Sequence, residues 1–254
     1  MLYICIPSYN EAPTVGVLLW RIRKVFQEYS REYEVIVYDD GSSDDTTAAL
    51  APYAKVMPLS VIGAESRGGY ARAVDALMRE ANKRTRYPRR DALVLMQADF
   101  TDQPEHLPEL VKRFEGGADL VVVERTPGRS APESVRKLAR NAHWLSSAWP
   151  TRNYCRVAGV SDPFSSYRLL RISVLRDMLK ESGDRALCDG AVSAANAELS
   201  RHAIRIARRV ESVPLDGRWD LRPRESRVRP WHDALDLLRH GWAARATQRP
   251  VLPA

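Results

Sequence analysis

The sequence predicts an α/β protein built on a mostly parallel sheet with helices on both faces. Three observations carry that prediction. Strand-length apolar runs alternate with stretches of helical spacing over residues 1 to about 125, with little punctuation between them. The run Leu93–Met96 is continuously apolar, as a strand buried on both faces would be. It breaks off into polar residues in Leu93–Glu105 (LVLMQADFTDQPE), and open sheets place their ligands at that end of a strand.

Leu2–Ile6 is the first strand, ending at Pro7, and the loop Pro7–Glu11 leads into helical spacing over Thr14–Gln27 (Val15, Leu18, Leu19, Ile22, Val25, Phe26). Glu34–Tyr38 is the second strand. It runs into Asp39-Asp40-Gly41-Ser42-Ser43-Asp44-Asp45-Thr46, a turn in which Ser43 or Asp44 is placed to cap a short helix towards Tyr53. A third strand is expected in Val56–Ile62 and, after Arg67-Gly68-Gly69, a helix over Ala71–Lys83. Ala92–Gln97 is the fourth strand. Pro104 and Glu105 suit the first turn of a helix reaching Glu115, which Gly116-Gly117 stops before a fifth strand at Asp119–Val123.

The second half is less regular. Ser134–Trp149 has helical spacing with a basic opposite face. Asp162–Arg168 leads into a short strand and a helix at Ser173–Lys180. Ala191–Arg201 is a further helix and Ile204–Pro214 a strand. Asp216–Pro230 is a loop rich in arginine, and a last helix is expected near Trp231–Ala246. The expected division is a main domain over 1–215, followed by the basic loop and amphipathic helix of 216–254.

Across 254 residues, 44% hydrophobic and 28% charged is the balance of an ordinary soluble globular protein. No apolar run reaches the length of about 18 residues that a membrane span needs. The N-terminus lacks a basic region and a long apolar core, so no signal peptide is expected. Cys5, Cys155 and Cys188 are odd in number and lack metal-ligand spacing, which points to a reducing, cytoplasmic setting. The net charge of +7 permits nucleic acid, anionic lipid or a nucleotide diphosphate as partner.

Acidic residues follow three successive parallel-strand candidates: Glu11, Asp39/Asp40 and Asp99/Asp102. Parallel strands end on one edge, so these carboxylates should converge on one crevice. Carboxylates repel one another, and a cluster of them holds a cation or accepts hydrogen bonds from a ligand. A magnesium or manganese ion bridging a nucleotide diphosphate meets both needs. A nucleic-acid partner would explain the charge but not these carboxylates, and none is expected. Taken singly, Asp39-Asp40-Gly41 is a common turn.

IPSYNEAPTVG, EVIVYDDGSSDDT, RGGYARAVDALMREA and LVLMQADFTDQPEHLPELV resemble the family 2 inverting glycosyltransferases, in particular the polyprenyl-phosphate mannose or glucose synthase branch. The resemblance extends through ADLVVVERT and VSDPFSSYRLLRISVL, covering most of residues 2–176, with a looser echo near Arg222–Arg229. It implies a GT-A nucleotide-sugar fold. Pro7, Tyr9, Asn10 and Glu11 would line the nucleobase and ribose pocket, with Asp40 and Asp39 on the base or ribose. Gln97, Ala98 and Asp99 would occupy the DxD position that holds metal and diphosphate, with Asp102 as a further candidate ligand. Arg125 and Arg168 would act on the phosphates, while Asp162, Arg222, Arg224 and Arg227 would serve the acceptor or diphosphate. The implied reaction moves a hexose, mannose first, from a nucleotide sugar, GDP-mannose first, to a polyprenyl phosphate. The alternatives are a soluble glycan or small-metabolite acceptor, or a non-catalytic nucleotide-sugar binder. An acceptor phosphate is already anionic at neutral pH, so it needs no general base, and catalysis lies in orientation and in stabilising the departing diphosphate.

The chain departs from the family pattern at several positions. Gln97 replaces the first DxD aspartate and Thr101 a metal-binding glutamine, while Val123, Glu124 and Ser166 replace small residues of two further motifs. Two unit charges at about 4 Å interact by roughly 4 kcal/mol at an effective dielectric of 20, so an amide in place of a carboxylate weakens cation binding. Trp231, Leu235, Leu238 and Trp242 form one helical stripe flanked by Arg239, His240 and Arg245, suited either to packing on the domain or to a peripheral membrane contact.

Overall fold

The computed structural model describes residues 1–125, 131–137, 140–141, 160, 162, 164–215, 219–221, 229, 231–237 and 239. Arg222, Arg224 and Arg227, the stripe residues Leu238 and Trp242, and most of the expected helix over 134–149 lie outside them.

Seven strands form one sheet: β1 Leu2–Ser8, β2 Tyr33–Asp40, β3 Leu59–Ala64, β4 Ala92–Leu95, β5 Leu120–Glu124, β6 Arg168–Arg171 and β7 Val210–Pro214. Their order is β3-β2-β1-β4-β6-β5-β7. All neighbouring pairs are parallel except those of β6, which runs antiparallel between β4 and β5. The predicted mostly parallel α/β sheet is therefore present. Among the described residues the main helices are α1 Ala12–Glu28, α2 Thr46–Leu50, α3 Tyr70–Arg84, α4 Leu107–Glu115, α5 Ile172–Ser182 and α6 Val192–Ile206, with further helical stretches at 133–137 and 231–237.

The two faces of the sheet carry two cores. On one, Ile4, Ile6, Val35, Val37 and Val94 pack on the apolar stripe of α1 (Val15, Leu18, Leu19, Ile22) and on Leu110 and Phe114 of α4. On the other, Tyr3, Cys5, Ile36, Leu93 and Leu95 meet Val74, Leu77 and Met78 of α3 and Leu175 and Leu199 of α5 and α6. Successive residues of β1 thus go to opposite faces, as strand geometry requires. Each such side chain contributes about 1.5–3 kcal/mol when fully buried.

Two spans differ from expectation. The third strand begins at Leu59, because Tyr53–Lys55 turns as a 3-10 helix that takes the chain through Val56 and Met57 first. Helix α6 continues to Ile206, past the expected end at Arg201, and the last strand starts only at Val210. Ile204 and Ile206 pack on the core from the helix, so an apolar pair read as strand belongs to the end of the helical stripe.

Strand β1 outlasts its neighbour β4. Their register runs from Leu2 opposite Ala92 to Cys5 opposite Leu95, whereas β1 stays paired with β2 through Ser8 opposite Asp39. Beyond Cys5 the ladder is therefore one-sided, which accommodates Pro7, a residue with no N–H to give. The strand order also reverses at β1, so β1 and β4 part at the topological switch point where doubly wound sheets open a crevice.

Candidate active site

On the β1–β2 side of that crevice, short polar side chains hold the loops together. Asn10 adopts a left-handed conformation (φ 51°), which asparagine tolerates better than most residues. Its backbone N–H donates to Ser42 Oγ at 2.9 Å, and its Oδ1 accepts the Ser43 N–H at 2.8 Å. Asp39 accepts from Ser42 N at 3.0 Å and Thr47 Oγ1 at 2.8 Å. Asp44 accepts the N–H of Ala12 at 3.1 Å with one oxygen and that of Thr46, the first residue of α2, at 3.0 Å with the other, so it meets a free donor at the start of each of two helices. Glu11 is buried, with Thr14 Oγ1 donating to its Oε2 at 3.0 Å.

Asp40 is buried and accepts the backbone N–H of Gly68 at 2.7 Å and of Gly69 at 2.8 Å, immediately before α3. A carboxylate there meets both unsatisfied donors and the positive end of the helix. Gly41 (φ 68°) allows the approach: a Cβ on it would stand 2.8 Å from the Ser66 carbonyl carbon. The approach brings Arg67 over the ring of Tyr9, at 4.2 Å from the centroid.

On the β4–β5 side, charge is buried. Asp102 accepts from Gln97 N at 2.8 Å and faces Arg125 Nη1 at 3.3 Å, with its side chain fully enclosed. Arg125 also donates to Ser165 Oγ (3.2 Å from Nη2) and Ser166 Oγ (3.0 Å), and its N–H reaches Asp162 at 3.3 Å. The Trp219 ring lies 5.9 Å from the guanidinium carbon. Burial pushes the Asp102 carboxyl above the usual range, against the opposing pull of Arg125 and the Gln97 N–H; Asp162 is raised for the same reason. Desolvating a fully enclosed carboxylate costs more than one arginine at the rim returns.

The expected site residues thus fall into two groups around the crevice, with Pro7, Tyr9, Asn10, Glu11, Asp39 and Asp40 on one side and Gln97, Ala98, Asp99, Asp102, Arg125 and Asp162 on the other. Two of them stand differently from expectation. Arg168 is 1% exposed, with its two terminal nitrogens bonded to Asn196, Ser200 and the Ser165 carbonyl, so it lies inside the protein. Asp102 is ion-paired with Arg125 and so is drawn to an arginine where a cation was expected. Trp219, Arg67 and Asn196 were not singled out by sequence reasoning. For Asn196 there was a signal, since Asn196 and Ser200 interrupt the apolar stripe of α6 one turn apart.

The donor set bears on the expected divalent cation. Among the described residues, no group of three or more His, Cys, Asp or Glu side chains is gathered to hold one. Asp99 is buried, with Oδ1 accepting the Thr101 N–H at 3.2 Å, and Gln97 beside it is half-buried. One carboxylate and one amide suit a magnesium-like ion that arrives on a diphosphate, which supplies most of its oxygens.

Comparison with known proteins agrees with this fold. Over 177 residues the chain is 30% identical to a dolichol-phosphate mannosyltransferase of Pyrococcus furiosus, covering 68% of this chain and 46% of that protein. It is 32% identical over 124 residues to an undecaprenyl-phosphate 4-deoxy-4-formamido-L-arabinose transferase of Photorhabdus laumondii, covering 48% of this chain and 36% of that one. The chain thus spans between about a third and a half of the length of these relatives. Among solved structures it resembles a Mycobacterium tuberculosis glucosyl-3-phosphoglycerate synthase in complex with Mn2+, UDP-glucose and phosphoglyceric acid. That likeness has a TM-score of 0.62 at 16% identity, covers 100% of this chain and 82% of the other, and establishes the GT-A fold. The model of glycosyl transferase family 2 matches residues 3–179, and the chain belongs to that family.

Proposed function

We propose that this protein transfers a hexose from a nucleotide sugar to a polyprenyl phosphate with inversion at the anomeric carbon, with mannose from GDP-mannose as the first donor to test. The observation that carries the reading is Arg125. It is a mostly buried guanidinium lodged between Asp102 and two serine hydroxyls on the β4–β5 side of the crevice. In this reading the Asn10–Ser43 and Asp39–Ser42 loops shape the base and ribose pocket, and Arg125 meets the diphosphate. Asp99 and the Gln97 amide would hold a divalent cation together with that diphosphate. The cation supplies neutralising charge for the departing group. Arg125, held in a low-dielectric pocket before the reaction starts, stabilises the same charge without reorganisation. Both relatives named above are described as acting on lipid phosphates, which supports the acceptor class.

A peripheral membrane contact fits that acceptor. In the helical stretch 231–237, Trp231 is 78% and Leu235 56% exposed, one turn apart, while Ala234 and Leu237 on the other face are buried. Among the described residues no helix is long and apolar enough to cross a membrane. An exposed Trp–Leu pair beside arginines suits the headgroup layer.

The decisive experiment incubates the protein with radiolabelled GDP-mannose, UDP-glucose or UDP-N-acetylglucosamine and a polyprenyl phosphate, with and without manganese. The expected result is label in the organic phase from one donor. Label that stays with a water-soluble acceptor would replace the lipid reading, and absence of both transfer and donor hydrolysis would leave a binding protein. Flotation with anionic liposomes tests the membrane contact, which is expected to weaken in Trp231→Ala plus Leu235→Ala.

A further inference from the structure

Beneath the crevice, a row of polar side chains joins its two sides through the interior. Tyr70 directly follows the two glycines held by Asp40, and its hydroxyl donates to Asn196 Oδ1 on α6 at 3.0 Å. The same Oδ1 accepts from Arg168 Nη2 at 3.1 Å. Arg168 Nη1 donates to the Asn196 carbonyl at 3.2 Å and to Ser200 Oγ at 3.0 Å, and Nη2 also reaches the Ser165 carbonyl. Ser165 and Ser166 then present the two hydroxyls that hold Arg125. Asn196, Ser200, Arg168, Ser165 and Ser166 are all buried.

This arrangement is costly for a mere packing role. Among the described residues no carboxylate lies within ion-pairing distance of Arg168, and burial pushes its guanidinium below its usual pKa. An apolar side chain of similar volume would fill the space at less expense. What an apolar side chain cannot do is bind a fork of oxygens from two elements at fixed angles. The fork here clamps the carbonyl of Ser165 to helix α6, and Ser165 is the residue whose own hydroxyl receives Arg125.

We propose that Arg168, Asn196 and Tyr70 are positioning residues that fix the Ser165–Ser166 turn and, through it, the guanidinium of Arg125. They touch no substrate. Tyr70 ties the clamp to the Gly68-Gly69 segment anchored by Asp40, so both sides of the crevice share one rigid support. The kinetic consequence rests on the proposed glycosyl transfer, whereas the geometric claim can be read without it.

The test follows the Nε–H resonance of Arg125 in protein labelled with 15N-arginine, identified by its loss in Arg125→Lys. In Asn196→Ala and in Arg168→Met the resonance is expected to shift and exchange faster with solvent. Asn196→Asp, which keeps an oxygen facing Arg168, should restore it. In the transfer assay Asn196→Ala should lower kcat on the order of a hundredfold while nucleotide affinity holds, since misplacement of a catalytic group by about 1 Å costs that much. In an Arg125→Met background the same substitution should lower kcat no further. Arg168→Met keeps the volume and supplies a folded variant if Asn196→Ala unfolds. An unmoved Arg125 resonance in the folded variants overturns the proposal, as does a kcat loss that adds in full to that of Arg125→Met. A wild-type protein without transfer would remove the proposed function, and the resonance would still decide the positioning claim.

Discussion

The two sides of the crevice use carboxylates in opposite ways. On the β1–β2 side, Asp39, Asp40 and Asp44 accept N–H or hydroxyl groups from nearby loops, and the loops take their shape from those bonds. For Asp44 burial is the largest single influence and pushes the carboxyl up, but hydrogen bonds from Thr46 and from the Ala12 N–H together outweigh it and hold the carboxyl below the usual range. On the β4–β5 side, Asp102 and Asp162 are sunk around Arg125, and burial pushes both carboxyls up. One side is a scaffold that satisfies itself before any ligand arrives. The other holds opposite charges in a poorly screened pocket, where electrostatic work on a developing charge is strongest.

The largest effect should come from the second side. Arg125→Met removes the cation and strands Asp102 in the interior. Breaking a buried pair in this way costs about 3–5 kcal/mol, which urea denaturation at neutral pH should register. Adding Asp102→Asn should recover much of that stability, because the orphaned charge goes with it. Transfer should fall by about a hundredfold or more in either variant, the loss expected when one preorganised donor is removed from a charge-stabilising site. Equal stability of Arg125→Met and wild type would mean that the pair contributes nothing to folding, and the contrast between the two sides would collapse.

That contrast was only partly legible in the sequence. Helices α1, α3 and α4 and the strands that precede the acidic loops follow from apolar period and length, because their stripes face a single sheet. The acidic residues after β1, β2 and β4 lie along one edge of the sheet because parallel strands end together, but on two sides of the crevice rather than in one cluster. The direction of β6 was not legible, since its pairing between β4 and β5 depends on contacts 46–79 residues away in the chain. Arg168 was misplaced because arginine in a loop motif reads as exposed, and its partners Asn196 and Ser200 arrive from a distant helix. Asp102 was read as a candidate cation ligand for a similar reason: nothing local reveals that Arg125 reaches it across the sheet.

On the first side the corresponding test is Asp40→Asn. An amide retains one acceptor, so it cannot serve both the Gly68 and Gly69 donors, and the loss of charge-assisted bonds of this kind costs about 1.5–3 kcal/mol. Nucleotide affinity should weaken with the loosened Arg67–Gly69 segment, while Arg125→Met should leave base recognition intact. Isothermal titration with GDP and UDP separates the two. If both variants lose the nucleotide equally, the sides do not divide the work.

A smaller effect sharpens the metal question. Gln97→Asp restores a second carboxylate beside Asp99 and should tighten Mn2+ binding by at least about tenfold, worth about 1.4 kcal/mol. Electron paramagnetic resonance of free Mn2+, without and with nucleotide, reads this directly. The wild type should take up the ion mainly when nucleotide is present, and the variant also without it. Strong uptake by the wild-type protein alone would show that the diphosphate is not the main ligand.

The smallest effect concerns pH and again compares the two sides. Because the folded-state pKa of Asp44 is lowered, its bonds to Ala12 and Thr46 stabilise the fold above the unfolded-state value. That contribution is lost as pH falls through the lower folded value. The raised carboxyl of Asp102 has the opposite sign: its protonated form is favoured in the fold, so stability falls as pH rises from the unfolded value through the higher folded one. Asp44→Asn should therefore flatten the acid limb of a stability profile, and the exposed position keeps the change small, within about 1 kcal/mol. Asp102→Asn in the Arg125→Met background should instead remove a loss of stability that appears as pH rises. Profiles of the two variants that moved in the same direction would show that burial does not govern Asp102.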